Sequence, residues 1–218
     1  MKKTKLSLYL GMALLIFFGV FCKNDKKGVK ASDAEAVLEH QDSYKTYVID
    51  TTDSHIAWVG STPVDGHNGT IKFSSGKMGF ENGILKSGSF EIDINSIAVL
   101  DLKDLEENGD LVEHLKNEDF FEVDKFPKGQ FDIVSVSTDG NGTTLKGNLT
   151  LKEVTKSITF PVDVLIEGNK ATLTSAPFFI DRTEWGIIYE SGTFFKDLKD
   201  EFIKDEIEIT LDVKGLLK

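Results

Sequence analysis

Cysteine is almost absent from this sequence. Cys22 is the only one among 218 residues. A single thiol excludes an internal disulfide and any metal site built from several cysteines. The fold must therefore rest on an apolar core, for which the apolar content of 40% is ordinary, and 218 residues give room for one large domain or two small ones.

The sequence also lacks an excess of basic charge. It has 25 lysine and arginine residues against 36 acidic ones, which gives a net charge of −11. Such a chain would repel the phosphate backbone, so no nucleic-acid partner is expected. The acidic balance is typical of a solvated surface and argues against charge-based binding of anionic headgroups.

Groups arranged for catalysis or metal binding are missing as well. No nucleophile with a base stands out, and the four histidines, at positions 40, 55, 67 and 114, show no HExxH-like spacing. His114 and Glu118 are four residues apart, which favours a solvent-facing helix pair over a metal site. The sequence predicts no catalytic residue, no metal ligand and no cofactor, so an enzyme is the least supported class.

The N-terminus has the features of an export signal. Three lysines among the first five residues precede an unbroken run of apolar and small residues, 6–21, which ends at Cys22. This arrangement resembles the lipobox of bacterial lipoproteins, in which the cysteine thiol is acylated. We predict a signal peptide over 1–21, a lipidated Cys22, and a membrane-anchored location in the bacterial periplasm or cell envelope.

An uncleaved membrane anchor is the alternative. Phe21 stands where the lipobox prefers a small residue, and the apolar run approaches the minimum length of a membrane span. After the anchor, residues 22–45 are polar and lack sustained strand periodicity, which predicts a flexible tether. The folded domain is expected over 46–218.

The folded domain has the alternation of an all-β protein. In the segment 157–166, Ile158, Phe160 and Val162 share one face while polar residues take much of the other, a period of two that only a strand gives. Turn signals follow at hairpin spacing, at 81–83, 138–142 and 167–169. Without a βαβ rhythm, the sheet should be antiparallel.

Both a two-sheet sandwich and a closed barrel fit this pattern. Candidate strands of about ten residues, 157–166 and 203–213, are longer than the five or six residues typical of a strand and suit the tilted strands of an eight-stranded barrel. Such a barrel is just wide enough to hold one small or elongated ligand.

One helix interrupts the strands, in the stretch "LVEHLKNEDFFEVDKFP" at 111–127. Asp110 is a candidate N-cap, with Glu113 three residues later. The helix presents an apolar stripe and ends in an aromatic pair, which predicts a lid over one open end of the barrel. The predicted lid residues are Leu111, Leu115, Phe120 and Phe121. A crossover connection that merely completes the core is the alternative.

Arg182 is the only arginine in the chain. Its planar fork suits a bidentate partner, so an internal ion pair with neighbouring Asp181 or Glu184 is predicted, with contact to a ligand headgroup as the alternative. His67, at a turn before a strand, is expected at the barrel mouth as a hydrogen-bonded structural residue.

Several stretches resemble the YceI-like lipid-binding family. They are "YVIDTTDSHIAW", "EHLKNEDFFEVDKFPKGQFDIVSV", "GNLTLKEVTKSITFPV" and "IDRTEWGI", and the resemblance covers residues 46–214. It implies an extended, lipocalin-like antiparallel barrel that encloses a long apolar chain such as a polyisoprenoid, an isoprenoid quinone or a fatty-acid derivative.

The apolar strand faces then give a predicted ligand-binding lining. Its members are Phe90, Ile92, Phe131, Ile133, Leu149, Leu151, Ile158, Phe160 and Phe178. Together these features predict an exported, membrane-tethered protein whose partners are an isoprenoid or fatty-acyl lipid and, through its anchor, a membrane. A surface or adhesion lipoprotein with a filled barrel core is the alternative.

Overall fold

A computed structural model describes residues 28–140 and 142–218. The predicted signal peptide and Cys22 lie outside these residues. Within them the chain forms eleven β-strands, one α-helix and one short 3₁₀ helix. The strands are β1 (Ser32–Asp33), β2 (Lys45–Ile49), β3 (His55–Ser61), β4 (Gly66–Glu81), β5 (Ile84–Val99), β6 (Lys128–Asp139), β7 (Gly142–Leu151), β8 (Val154–Glu167), β9 (Lys170–Thr174), β10 (Phe178–Asp181) and β11 (Glu206–Leu217). The helix α1 is Leu105–Lys116, and the 3₁₀ helix is Arg182–Trp185.

Eight of these strands close into a ring in which every neighbouring pair is antiparallel. Their order is β3, β4, β5, β6, β7, β8, β9 and β11, and β11 pairs back to β3. Strand β2 continues the line of β3 between β4 and β11, and β10 pairs with β11 beyond β9. The predicted eight-stranded antiparallel barrel is confirmed, and the sandwich alternative is wrong.

The alternation along each strand separates the core from the solvent. In β8, Ile158, Phe160 and Val162 are buried, whereas Thr159 and Pro161 between them are exposed. The predicted hairpin turn at 81–83 joins β4 to β5. Asn82 and Gly83 adopt the left-handed φ angles, 52° and 78°, that such a tight turn requires. Local sequence and barrel topology therefore agree.

The helix begins earlier than the sequence indicated. Asp104 is the N-cap, and its side chain accepts hydrogen bonds from the backbone N–H groups of Glu106 and Glu107. The predicted cap, Asp110, lies inside the helix. Asn108 explains why the helix begins at Leu105. Its Nδ2 donates to the carbonyl oxygens of Val99 and Leu102 at 3.0 Å and thereby fixes the first turn of the helix against the end of β5.

The two ends of the barrel are built differently. At one, which we call the helix end, lie the β3–β4 turn, the β5–α1 connection, α1 itself, residues 117–127 and the segment 182–205 that leads into β11. At the other, the opposite end, short turns join β4 to β5, β6 to β7 and β8 to β9. Only the helix end carries enough chain to cover the barrel interior.

The segment before the barrel lies along its outer wall. Residues 28–40, here called the strap, start beside β10, where the Val29 N–H donates to the Phe179 carbonyl at 2.7 Å. The strap then pairs with β8 through β1, and the Leu38 N–H donates to the Ile133 carbonyl at 2.9 Å. The described part of the predicted tether is thus hydrogen-bonded to the barrel, which its polar composition did not indicate.

Candidate functional site

A cavity of about 270 Å³ lies inside the barrel toward the helix end. Its wall is almost wholly apolar and consists of inward-facing side chains from the ring strands. Side chains nearer the opposite end, such as Met78, Phe80 and Leu85, are buried but do not border it. The interior is therefore packed solid at one end and left open at the other.

Most of the predicted lining residues are on the cavity wall. They are Phe90, Ile92, Phe131, Leu149, Leu151, Ile158, Phe160 and Phe178. Ile133 is not. It is fully buried at 0% exposure, and a Cβ added to Gly88 would lie 2.7 Å from its Cδ1. Ile133 belongs to the packed core, because the inward face of a strand serves both core and cavity and alternation does not tell them apart.

The lining prediction missed the wall opposite these residues. Trp58 of β3 and Ile207, Ile209 and Leu211 of β11 also border the cavity. The three β11 residues point inward and pack against the core, yet they are only half-buried, because part of each side chain faces the cavity. The signal was present in the sequence: "IEITLDV" has a continuous apolar face that continues the barrel wall.

A row of aromatic rings crosses part of the wall. The ring centroids of Phe73 and Phe90 are 6.2 Å apart, those of Phe90 and Phe131 are 6.2 Å apart, and those of Phe131 and Phe160 are 5.8 Å apart. Phe160 and Phe178 stack in parallel at 4.3 Å. The row spans strands β4 to β10 and offers a long apolar surface for a chain-like ligand.

The predicted lid residues all border the cavity. Leu111 and Leu115 come from the inner stripe of α1, and Phe120 and Phe121 follow its end. Hydrogen bonds to its backbone hold the aromatic pair in place. The Phe121 N–H donates to the Leu115 carbonyl at 3.2 Å, and the Lys152 side chain donates through Nζ to the Phe120 carbonyl at 2.9 Å. One side of the helix end is thereby covered.

His114 fastens this cover to the segment 182–205. Its ring makes edge contacts with Phe120 at 5.1 Å and with Tyr189 at 4.9 Å, and its Nε2 lies 3.2 Å from Asp119 Oδ2. The expected solvent-facing pair of His114 with Glu118 is therefore wrong. The ring instead joins the two segments that close the helix end.

The polar part of the wall lies at the β3–β4 turn. Ser61, Thr62, Asp65 and His67 border the cavity there, and Asp65 is exposed, so the cavity reaches the surface at this turn. We call this opening the mouth. It lies between the β3–β4 turn, the lid and the segment 182–205.

A hydrogen-bonded pair supports the mouth. His67 Nδ1 lies 2.8 Å from Asp101 Oδ2, and the Asn68 N–H donates to Asp101 Oδ1 at 2.9 Å. Partial burial raises the pKa of Asp101, because it disfavours the charged carboxylate. The hydrogen bonds from Asn68 and His67 outweigh this effect and lower the pKa below its ordinary value of 3.8. His67 is at the mouth as a hydrogen-bonded residue, as expected.

Arg182 is buried at 4% exposure and borders the cavity. Its guanidinium donates to three backbone carbonyls, those of Ile187, Ile203 and Lys204, at 3.0 to 3.2 Å. The ion-pair partner is Asp205, at 3.8 Å, rather than the predicted Asp181 or Glu184.

The two predicted partners have other contacts. Asp181 caps the 3₁₀ helix by accepting from the Thr183 N–H, and Glu184 pairs with Lys156 at 3.5 Å. Burial lowers the pKa of the Arg182 guanidinium, and the nearby Asp205 carboxylate opposes that shift. Arg182 thus ties the segment 182–205 to the barrel at the cavity's edge.

Residues 28–140 and 142–218 contain no group of histidine, cysteine or acidic side chains that could hold a metal ion. Over the same residues, no helix has the length and apolar character needed to cross a bilayer.

Known proteins share this architecture. The family described as the YceI-like domain matches residues 47–215. The chain is 29% identical over 171 residues to the UPF0312 protein of Shewanella denitrificans. That alignment covers 74% of this chain and 87% of the relative.

Two solved structures have the same fold. The crystal structure of Burkholderia cenocepacia BcnA matches with a TM-score of 0.61 at 23% identity, over 76% of this chain and 98% of that one. A polyisoprenoid binding domain from Saccharophagus degradans, implicated in plant cell wall breakdown, matches with a TM-score of 0.57 at 13% identity, over 81% of this chain and all of that one. With a family match over most of its length and a barrel of the same shape, this chain belongs to the YceI-like domain family.

Proposed function

We propose that this protein binds a single long apolar lipid, such as a polyisoprenoid, an isoprenoid quinone or a fatty-acyl derivative, inside its barrel. The observation that carries the proposal is the unfilled cavity. At about 24 cal/mol per Å³, the coefficient for a sealed void, a cavity of about 270 Å³ costs up to about 6 kcal/mol of stability, and less where the mouth admits water. The upper figure is comparable to the whole net stability of a small domain, so a cavity this large with an apolar wall is better explained by a ligand than by loose packing.

The chemistry of the wall supports an apolar chain as the ligand. Each methylene moved from water into such a wall contributes about 0.8 kcal/mol, so about 15 carbons contribute roughly 12 kcal/mol. Micromolar affinity requires about 8 kcal/mol after the costs of association. A lipid tail is therefore sufficient without a charged contact, which agrees with a wall whose one arginine already bonds to backbone carbonyls.

The size of the cavity supports a role for the lid. Ligand pockets usually measure about 300–1,000 Å³, and the cavity of about 270 Å³ lies just below this range. A polyisoprenoid therefore requires the lid side chains to move outward or its tail to extend through the mouth. We propose that Leu111, Leu115, Phe120 and Phe121 control ligand entry and retention. A barrel with a filled core, as in an adhesion module, would have no need for such a cover.

Family membership and the solved neighbours supply independent support. The Saccharophagus degradans protein of the same fold is described as a polyisoprenoid binding domain. We extend that ligand class to this chain because the barrel, the helix and an apolar cavity occur together here. The proposal is for binding, in carriage, storage or sensing of a lipid, without a chemical reaction.

We further propose that the protein is exported and held at a bacterial membrane through Cys22. The support is the order of basic residues, apolar run and cysteine at the start of the chain. Cys22→Ala should release or misprocess the protein, and fractionation with mass analysis of the mature chain measures this. A substituted protein that stays membrane-bound at its normal mature size would exclude lipidation.

Binding itself is tested by titrating dansyl-labelled geranylgeraniol and following energy transfer from Trp58, which borders the cavity. Phe160→Asp should abolish the signal, because an unpaired charge in the stacked pair with Phe178 is too costly to bury. Thr159→Asp, one residue away and exposed, is the matched control and should bind normally. A folded Phe160→Asp protein that binds like the control would refute an apolar site inside the barrel.

A further inference from the structure

The most exposed apolar side chains lie around the mouth. Leu105, Val64 and Leu100 are the three most exposed large apolar residues in the described part of the chain, at 90%, 82% and 62%. Val64 is in the β3–β4 turn, and Leu100 and Leu105 lie in the β5–α1 connection and at the start of α1. All three therefore belong to segments that form the helix end.

The segment 182–205 adds two aromatic rings to this set. Phe194 is 54% exposed and Phe195 is 45% exposed. This segment also covers the cavity, because Ile187 and Ile203 border it. We call Val64, Leu100, Leu105, Phe194 and Phe195 the apolar rim. Its members lie on three separate segments of the chain that come together around the mouth. No single local feature of the sequence therefore explains why these apolar side chains are exposed.

At the opposite end, the described turn residues include no exposed large apolar side chain. The turns present Asn82 and Gly83 on one hairpin and Gly168 and Asn169 on another. Exposed apolar residues at that end, such as Ile84, are part of strands rather than of projecting turns. The asymmetry places projecting apolar groups where the cavity opens.

The charge around the rim is slightly acidic. The stretch "LDLKDL" at 100–105 has two acids and one lysine, "FFKDLKD" at 194–200 has two of each, and the β3–β4 turn that carries Val64 adds Asp65. An anionic surface would be repelled by this pattern, and the small acidic excess would attract a cationic surface only weakly. The pattern is compatible with a neutral, zwitterionic surface that apolar side chains can enter.

The position of the strap shows that the anchor can reach this end. Gly28 lies against Phe179, and β10 ends two residues later at the helix end. Cys22 precedes Gly28 by six residues, which span at most about 20 Å when extended. A lipid on Cys22 is therefore able to hold the mouth close to a bilayer.

We propose that the apolar rim is a membrane-docking surface that inserts into a zwitterionic bilayer and turns the mouth toward the lipid. The proposal rests on the proposed lipid binding and tethering, since a ligand of this class resides in the bilayer. Docking in this orientation gives the ligand a path from the membrane into the barrel that does not cross water.

The test uses the full-length chain reconstituted in vesicles of brominated phosphatidylcholine, whose bromines quench tryptophan only within the bilayer. Single tryptophans are introduced as Val64→Trp, Phe194→Trp and, at the opposite end, Ile84→Trp. Trp58 and Trp185 give the same background in all three. Strong quenching of the two rim variants with little quenching of Ile84→Trp is the expected result, and equal quenching of all three would overturn the proposal.

A second measurement follows transfer of dansyl-labelled geranylgeraniol from vesicles to the same chain. Phe194→Asp should slow transfer roughly tenfold, the loss expected when an inserted apolar side chain is replaced by a charge. Ile84→Asp should transfer at the normal rate, and equal rates for the two variants would also count against docking.

The outcomes separate docking from lipid binding. Rim-specific quenching in a protein that takes up no labelled lipid would leave docking intact and refute the proposed function. Lipid uptake without rim-specific quenching would support the proposed lipid binding and refute docking.

Discussion

Filling the cavity should raise the stability of the lipid-free protein while removing its ability to bind lipid. Ile209 is the site of choice, because it lies on β11 between its cross-strand partners Trp58 and Phe178, and its side chain faces the void. At about 24 cal/mol per Å³, each 50 Å³ of void that is filled returns about 1 kcal/mol. Ile209→Trp should therefore stabilise the lipid-free protein by about 1 kcal/mol, less any strain from imperfect fit.

The control for this substitution is Thr210→Trp, one residue along the same strand with its side chain on the other face. Urea melts of delipidated protein give the free energy of unfolding, and titration with dansyl-labelled geranylgeraniol gives the affinity. Ile209→Trp should lose at least tenfold in affinity while Thr210→Trp does not. If Ile209→Trp binds normally and is less stable than the control, the void is not the binding site and its wall is already well packed.

Three further predictions concern the lid, the buried arginine and the mouth. Phe121→Ala should speed ligand release about tenfold in stopped-flow experiments with little change in lipid-free stability, because its ring borders the cavity, whereas Phe126→Ala should not affect release. Equal release rates with a large loss of stability would mean that the helix only completes the core. Arg182→Lys loses at least two charge-assisted hydrogen bonds to buried carbonyls and should cost about 3 kcal/mol or more in denaturant melts, while a loss below about 1 kcal/mol would show that these bonds are weak. The folded-state pKa of Asp101 is lowered, so its contribution to stability is present above pH 3.8 and is lost as the pH falls through that lowered pKa. Asp101→Asn should therefore be less stable than the parent protein at neutral pH and show a weaker decline in acid, and identical pH profiles would exclude this contribution.

The barrel could be predicted from the sequence because its strands are amphipathic in the simplest way. In β8, burial follows the alternation of Ile158, Phe160 and Val162 residue by residue. Antiparallel pairing followed from the short turns. What alternation did not reveal is that β2 and β3 share one side of the wall, or that the strap lies against β8. These contacts join residues far apart in sequence, and no local pattern encodes them.

The helix was predicted, but not its first residue. Asp104 and Asp110 each have a glutamate three residues later, so both satisfy the capping pattern. The structure uses Asp104 because Asn108 bonds to the end of β5, a contact that depends on where the strand ends. The two candidate N-caps have equal local signals, and a tertiary contact decides between them.

The candidate site could be predicted in type but not in detail. The inward face of the barrel was identifiable, yet Ile133 belongs to the packed core and Ile209 to the cavity, and the difference depends on how far each lies from the helix end. The partner of Arg182 was expected among its neighbours, whereas Asp205 lies 23 residues later and meets it through the return of the chain into β11.

Native mass spectrometry of the full-length protein, purified from the cells that make it, shows directly whether the barrel encloses one long apolar lipid. We expect a population heavier than the protein by the mass of a single lipid, which organic extraction identifies as a polyprenyl or long-chain acyl compound. A protein that is found only at its own mass, both as purified and after incubation with geranylgeraniol and long-chain fatty acids, would contradict this expectation.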